Sequence, residues 1–409
     1  MHVHRPRLDT HVWRSSRPDS NRGSDRDRCR VPRRRKHPPP GRGGKRTHHG
    51  CIDLGRRLAR DGRWIRLLRR GRLHDRVGGR HPRRPQADGR ARLSPTEKPA
   101  ARRPQTCGNS PGVTNHRIAI VTDSTADLPA PLIKARGITI VPLTLNFEGR
   151  SLLDGVDIRP SEFYRKLPNA TTHPTTSQPS AGQFAETYAG LLNDHDDIVS
   201  IHISEKLSGT YASAVQGAEM TDPTRVHVID SQLVSMSLGL LTLAASEIAG
   251  RGAAADAVVE KVTQMREHVQ TYFSVATLEF LRRGGRIGRA SALLGSVLQV
   301  KPVLCIRDGL VTPLERVRTF DRALNRVVEL TREMDHGQGL CVIVGHADAE
   351  GDAERLAQEL EPVAETLMIH PLGPVVGAHA GPGVVGVGCY SADILPLGLK
   401  RSPTAQTRA

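Results

Sequence analysis

Apolar residues in this chain are grouped from Ile118 onward and scattered before it. The first grouped run, Ile118-Ala119-Ile120-Val121-Thr122, breaks into Asp123-Ser124-Thr125-Ala126-Asp127-Leu128-Pro129. An uninterrupted, β-branched run suits a strand buried on both faces, and a polar loop after it marks the β-loop-α unit of an α/β sheet. Strand-like runs recur at residues 138–143, 198–203 and 225–230, with helical segments at 160–167, 181–192 and 233–249. Pro160 fits a first helical turn, where its missing N–H leaves nothing unpaired. Ser180 with Gln183 matches a capping box that starts the helix at Ala181, and Gly250-Arg251-Gly252 is a helix stop. This alternation predicts a doubly wound parallel sheet up to about Gln270.

The second half is patterned differently. Apolar runs at 272–276 and 301–306 are followed by Asp308-Gly309, a two-residue hairpin signal that brings in antiparallel pairing. Runs at 340–345, 367–369 and 384–387, with a helix at 353–360, complete a mixed α/β domain. The expected division is therefore a doubly wound domain at 116–270, a mixed α/β domain with antiparallel strands at 271–396, and a tail at 397–409.

Composition separates off the first 115 residues. They hold 32 Lys and Arg against 9 Asp and Glu, a net +23, whereas the remainder holds 27 against 33, a net −6. The overall +17 thus belongs to the extension, and no nucleic-acid partner is expected for the folded part. Rich in Arg, Pro, Gly and His, the extension cannot bury enough apolar surface to offset backbone entropy. Three readings apply to it: a mis-started translation, a disordered basic tail, or a nucleic-acid arm. Cys29 and Cys51 with His48 and His49 lack zinc-ligand spacing, and Cys107, Cys305, Cys341 and Cys389 are too scattered for a disulfide framework, as in a reduced cytoplasmic protein. The apolar run at 233–249 is too short to span a bilayer.

Candidate chemistry gathers in three hydroxyl- or glycine-rich stretches. Thr176 and Ser177 sit just ahead of the capped helix, where free N–H groups and the helix dipole favour an anion. Ser208-Gly209-Thr210 opens the next helix in the same way, Gly209 permitting close backbone approach. His379 lies in the glycine-rich Gly377-Ala378-His379-Ala380-Gly381-Pro382-Gly383. Ser and Thr before helices are most often simple caps, a lone histidine is most often structural, and Asp123 and Asp230 fit Asx turns as well as catalysis. Gly381-Pro382-Gly383-Val384-Val385-Gly386 satisfies G-x-G-x-x-G literally, but no βαβ unit follows it. Walker A and H-E-x-x-H motifs are absent from the sequence, and no G-x-S-x-G occurs from His116 onward.

The order of Asp123-Ser124-Thr125, Thr176-Ser177-Gln178-Pro179, Ser208-Gly209-Thr210, Asp230-Ser231, Gly284-Gly285-Arg286-Ile287, Lys301-Pro302 and His379-Ala380-Gly381-Pro382-Gly383 resembles the DegV family. The resemblance runs from about Ile118 to Gly388. It implies two α/β domains with a long-chain fatty acid buried between them as ligand, no further cofactor and no metal. It also implies a non-catalytic, cytoplasmic role: presenting the acyl carboxylate to a separate ATP-dependent fatty acid kinase subunit, whose acyl phosphate feeds phospholipid synthesis. A transient membrane-surface contact is compatible with that role. Thr176, Ser177, Ser208, Gly209 and His379 would hold the carboxylate, with Arg286 and Asp123 at the pocket rim or partner surface. Neutral donors orient a carboxylate without trapping it in a buried ion pair. The tail supplies affinity: at about 0.8 kcal/mol per methylene, fifteen methylenes offer on the order of 12 kcal/mol before entropy costs. The alternative is a hydrolase or phosphotransfer enzyme with Ser208 as nucleophile and His379 as base.

Overall fold

A computed structural model of the chain describes residues 116–295 and 300–399. The readings of the basic extension fall on residues 1–115 and lie outside the described residues. In chain order the elements of the first half are β1 (Ile118–Asp123), α1 (Ala130–Ala135), β2 (Ile138–Val141), β3 (Thr144–Phe147), β4 (Arg150–Leu153), α2 (Pro160–Lys166), β5 (Thr175–Ser177), α3 (Ala181–Leu191), β6 (Asp197–His202), α4 (Thr210–Glu219), β7 (Val226–Asp230), α5 (Met236–Gly250) and α6 (Ala255–Arg266). Those of the second are β8 (Gln270–Ser274), α7 (Glu279–Arg283), β9 (Lys301–Arg307), β10 (Leu310–Val317), α8 (Phe320–Arg332), β11 (Leu340–His346), α9 (Glu350–Leu360), β12 (Ala364–Pro371), α10 (Pro374–Ala380) and β13 (Val385–Ser391).

The first sheet is parallel throughout, in the order β2-β1-β6-β7. Its strands are apolar on both faces because both faces are covered. Ala119, Val121, Ile198 and Val226 pack with Phe184, Tyr188, Ala214 and Ala218 of α3 and α4. Ile120, Val199, Ile201 and Ile229 belong to the larger core that includes α5 and α6. This is the doubly wound arrangement. Ser180 accepts from the Gln183 N–H while the Gln183 side chain accepts from the Ser180 N–H, so α3 starts with the predicted capping box.

A small antiparallel sheet, β4-β3-β5, departs from the sequence reading. Residues 138–143 read as one strand, but β2 ends at Val141, and the chain turns through Pro142 into the β3–β4 hairpin. Its turn residues Glu148 and Gly149 have φ of 49° and 72°. Glu-Gly is a weaker hairpin signal than Asn-Gly or Asp-Gly. The presumed loop at 175–177 is the edge strand of this sheet, with Thr176 opposite Leu145.

The second sheet runs β10-β9-β8-β13-β11-β12, antiparallel except between β11 and β12. Asp308 and Gly309, at φ 52° and 73°, make the expected tight turn between β9 and β10. One face packs on α8 and α9. The other packs on α5, whose residues from Met236 to Ser246 are all buried and which also touches β1 and β6 of the first sheet. That helix is shared by both halves of the core. Residues 397–399 correct the expected tail: Leu397 is fully buried, its carbonyl accepts from Arg136 Nη2 at 2.8 Å, and Leu399 packs on the core. Among the described residues no helix is long and apolar enough to cross a membrane.

Candidate functional site

Four side chains from distant parts of the chain line one cavity: Thr176, Ser208, Arg286 and His379. Its free space is about 790 Å³ including the open mouth, and its walls are mainly aliphatic, with Ile203, Leu207, Leu281, Val375 and Val376 among them. A mostly apolar cavity with a few convergent polar groups is the usual form of a small-molecule site.

Each polar group is placed by its element. Thr176 is the central residue of β5, and successive side chains of a strand point to opposite faces. Thr176 therefore faces the cavity and Ser177 does not; Ser177 is exposed and accepts from Asn146 Nδ2 at 3.3 Å. Ser208 stands at the turn into α4, where its Oγ accepts from the Thr210 N–H at 3.3 Å and lies 2.9 Å from Thr210 Oγ1. The turn is braced from the second sheet, because the Ser204 hydroxyl donates to the Gly309 carbonyl at 2.9 Å. His379 comes from α10, a helix the apolar pattern alone did not indicate. Gly373-Pro374, with proline in the first turn, was its readable signal.

His379 Nε2 lies 2.8 Å from Thr176 Oγ1. Burial, helped by the nearby Arg286 and His173, pushes the imidazole down to about 4, so the ring is neutral at pH 7. With the ring proton on Nε2, Thr176 accepts and its own proton is left for a third group. His379 Nδ1 packs on Gly284 without a well-formed hydrogen bond, so closely that a Cβ at position 284 would collide with it. This explains one glycine of Gly284-Gly285-Arg286-Ile287.

Arg286 is among the residues that line the cavity. Its Nε donates to the Leu207 carbonyl at 3.0 Å and its Nη1 to the Gly284 carbonyl at 2.7 Å. Among the described residues no carboxylate forms an ion pair with it. A guanidinium carries five N–H donors, so this one has capacity left for an anion. The expected head site of neutral donors thus acquires a cation.

Besides Ser177, two expected site residues fall elsewhere. Gly209 does not line the cavity; a Cβ there would lie 2.7 Å from Gln178 Nε2, so its small size serves the packing of the two hydroxyl-rich segments on each other. Asp123 is neither rim nor partner surface. It is fully buried, and its carboxylate accepts from the Thr125 and Ile203 N–H groups and faces His202 Nδ1 at 3.0 Å. Ser208 and His379 do not bond each other, their partners being Thr210 and Thr176. The chain does contain a Ser-His-Asp constellation: Ser200 Oγ is 2.7 Å from His202 Nε2, and His202 Nδ1 faces Asp123. All three are fully buried and Tyr188 Oη occupies Ser200 at 2.8 Å, so the network ties β1 to β6 and has no route to a substrate. Among the described residues no cluster of metal-ligating side chains is present.

The family model described as "Uncharacterised protein, DegV family" matches residues 117–392. A DegV domain-containing protein of Streptomyces coelicolor is 41% identical over 277 residues, covering 67% of this chain and 98% of that protein. Among solved structures, a DegV family protein from Thermus thermophilus, described as fatty acid binding, is 38% identical with a TM-score of 0.65, covering 67% of this chain and 99% of that one. DegV from Bacillus subtilis, described as a fatty acid binding protein, is 31% identical with a TM-score of 0.63, covering 68% and 99%.

Proposed function

Because the chain belongs to the DegV family, we propose that it is a cytoplasmic carrier that binds a long-chain fatty acid in the cavity between the two sheets. The carboxylate sits against Thr176, Ser208, His379 and Arg286, and the tail lies along the aliphatic walls. The observation that carries this reading is the meeting of Thr176, Ser208, Arg286 and His379, 203 residues apart in the case of Thr176 and His379, at one mainly apolar cavity. The hydroxyls and neutral imidazole orient the head group by hydrogen bonds, Arg286 offsets its charge, and burial of methylenes supplies most of the affinity.

Among the described residues lining the cavity, no nucleophile is paired with a base that a third group holds, the arrangement that commonly activates a nucleophile. In the same proposal the carrier hands the carboxylate to a separate ATP-dependent kinase, which makes the acyl phosphate used in phospholipid synthesis. The direct test is to denature the purified protein and examine the extract by mass spectrometry. A long-chain fatty acid is expected; an extract without one, from protein that also fails to take up added fatty acid, overturns the reading. Acyl phosphate is expected only when the kinase and ATP are supplied, and turnover of acyl esters by this chain alone would favour a hydrolase.

A further inference from the structure

Two carboxyl groups, Asp127 and Asp154, converge on the amide that starts α10. Asp127 Oδ1 accepts from the Gly373 N–H at 2.8 Å, and its Oδ2 accepts from the Ser235 hydroxyl at 2.5 Å. A Cβ at position 373 would lie 2.8 Å from Asp127 Oδ1 and 3.4 Å from both Asp154 oxygens, so the two carboxyls face one point. Both are buried, and the Asp154 oxygens have no well-formed hydrogen bond. Neither forms an ion pair among the described residues. Burial and a neighbouring like charge both disfavour ionising the two together.

Ser235 connects this pair to the ligand cavity, because it lines that cavity while its hydroxyl turns back to Asp127. Asp127 and Ser235 have φ of 47° and 57°, left-handed backbone without glycine. Such strain persists where surrounding contacts over-determine it. The junction is built, and it abuts the helix that carries His379 at its other end.

We propose that Asp127 and Asp154 retain at least one proton between them and act as positioning residues, the protonated pair fixing the start of α10 and so where Val375, Val376 and His379 stand in the ligand cavity. This deepens the carrier reading and rests on it. Burial raises Asp127 well above the ordinary carboxylate range, with Asp154 and Asp123 adding repulsion against the hydrogen bonds from Ser235 and Gly373. Burial likewise raises Asp154 to about 7, opposed by Ser124 and Val375 and assisted by Asp123. Tyr164 on α2 faces both acids. Arg159 and His370 line a second cavity, to which both acids also belong, His370 being held neutral at about 4 by burial. An acid whose pKa rises on folding costs the fold increasingly as pH climbs from its unfolded value to its folded one. For Asp154 that window is 3.8 to about 7, and the retained proton is lost on the alkaline side.

The test has two arms on the full-length protein. Binding of a fluorescent sixteen-carbon fatty acid should weaken about tenfold in the wild type between about pH 6 and about pH 8.5, whereas Asp154→Asn should hold its acid-side affinity at both. In the ligand-free protein, carbon-detected NMR should show the pair titrating in two steps above the ordinary carboxylate range, and Asp154→Asn should lower the remaining step. Titration of both carboxyls near about 4, or the same pH profile in wild type and Asp154→Asn, overturns the proposal. If the wild type binds no fatty acid even at about pH 6, the carrier reading and the positioning role fall together, while the titration still decides the retained proton.

Discussion

Thr176 and Ser177 are neighbours with the same chemistry and opposite surroundings. Thr176 Oγ1 meets His379 inside the cavity, and Ser177 faces solvent beside Asn146. Thr176→Val keeps the shape and removes the hydroxyl, leaving a buried imidazole nitrogen without its partner, so fatty acid affinity should fall by about tenfold, or ~1.4 kcal/mol. Ser177→Ala should leave affinity unchanged. Isothermal titration of both variants checks the pair, and equal losses would contradict the facing assigned to β5. The sequence did identify this stretch as hydroxyl-rich, but which hydroxyl points inward depends on a pairing with Leu145 that no local pattern encodes. Arg286 illustrates the same limit, since its carbonyl partner Leu207 lies 79 residues away.

Ser180 and Ser208 both precede helices, and the elements they start have different jobs. Ser180 completes a capping box on α3 at the protein surface, so Ser180→Ala should cost about 1 kcal/mol in chemical denaturation and leave ligand affinity alone. Elements with strong local signatures were legible in this way: the capped α3, the Asp308-Gly309 hairpin, and the doubly apolar strands β1 and β6. Elements whose reason lies elsewhere were not. The edge strand β5 is three residues long and exists because β3 offers it an edge. The seven-residue α10 is held by Asp127 at Gly373 and by Tyr164, whose hydroxyl donates to the Leu372 carbonyl at 3.1 Å. Apolar cavity walls also resist reading from sequence, because Leu207 or Val376 looks the same whether it faces a ligand or a neighbouring side chain.

At the scale of the whole molecule, the family match and all three sheets lie within residues 117–392. A chain beginning at His116 should therefore keep the melting temperature and fatty acid affinity of the full length, and any salt-sensitive nucleic-acid binding should disappear with the basic extension. Differential scanning calorimetry of that shortened chain should show one transition, since α5 supplies buried side chains to both halves of the core. Two resolved transitions would mean that the halves fold separately. The shared helix also bears on how long an occupant stays. Swinging the halves apart would strip α5 of one of its two coats. Escape is then left to small local movements of the segments that wall the cavity, and residence time depends on those segments more than on how hard the molecule is to unfold.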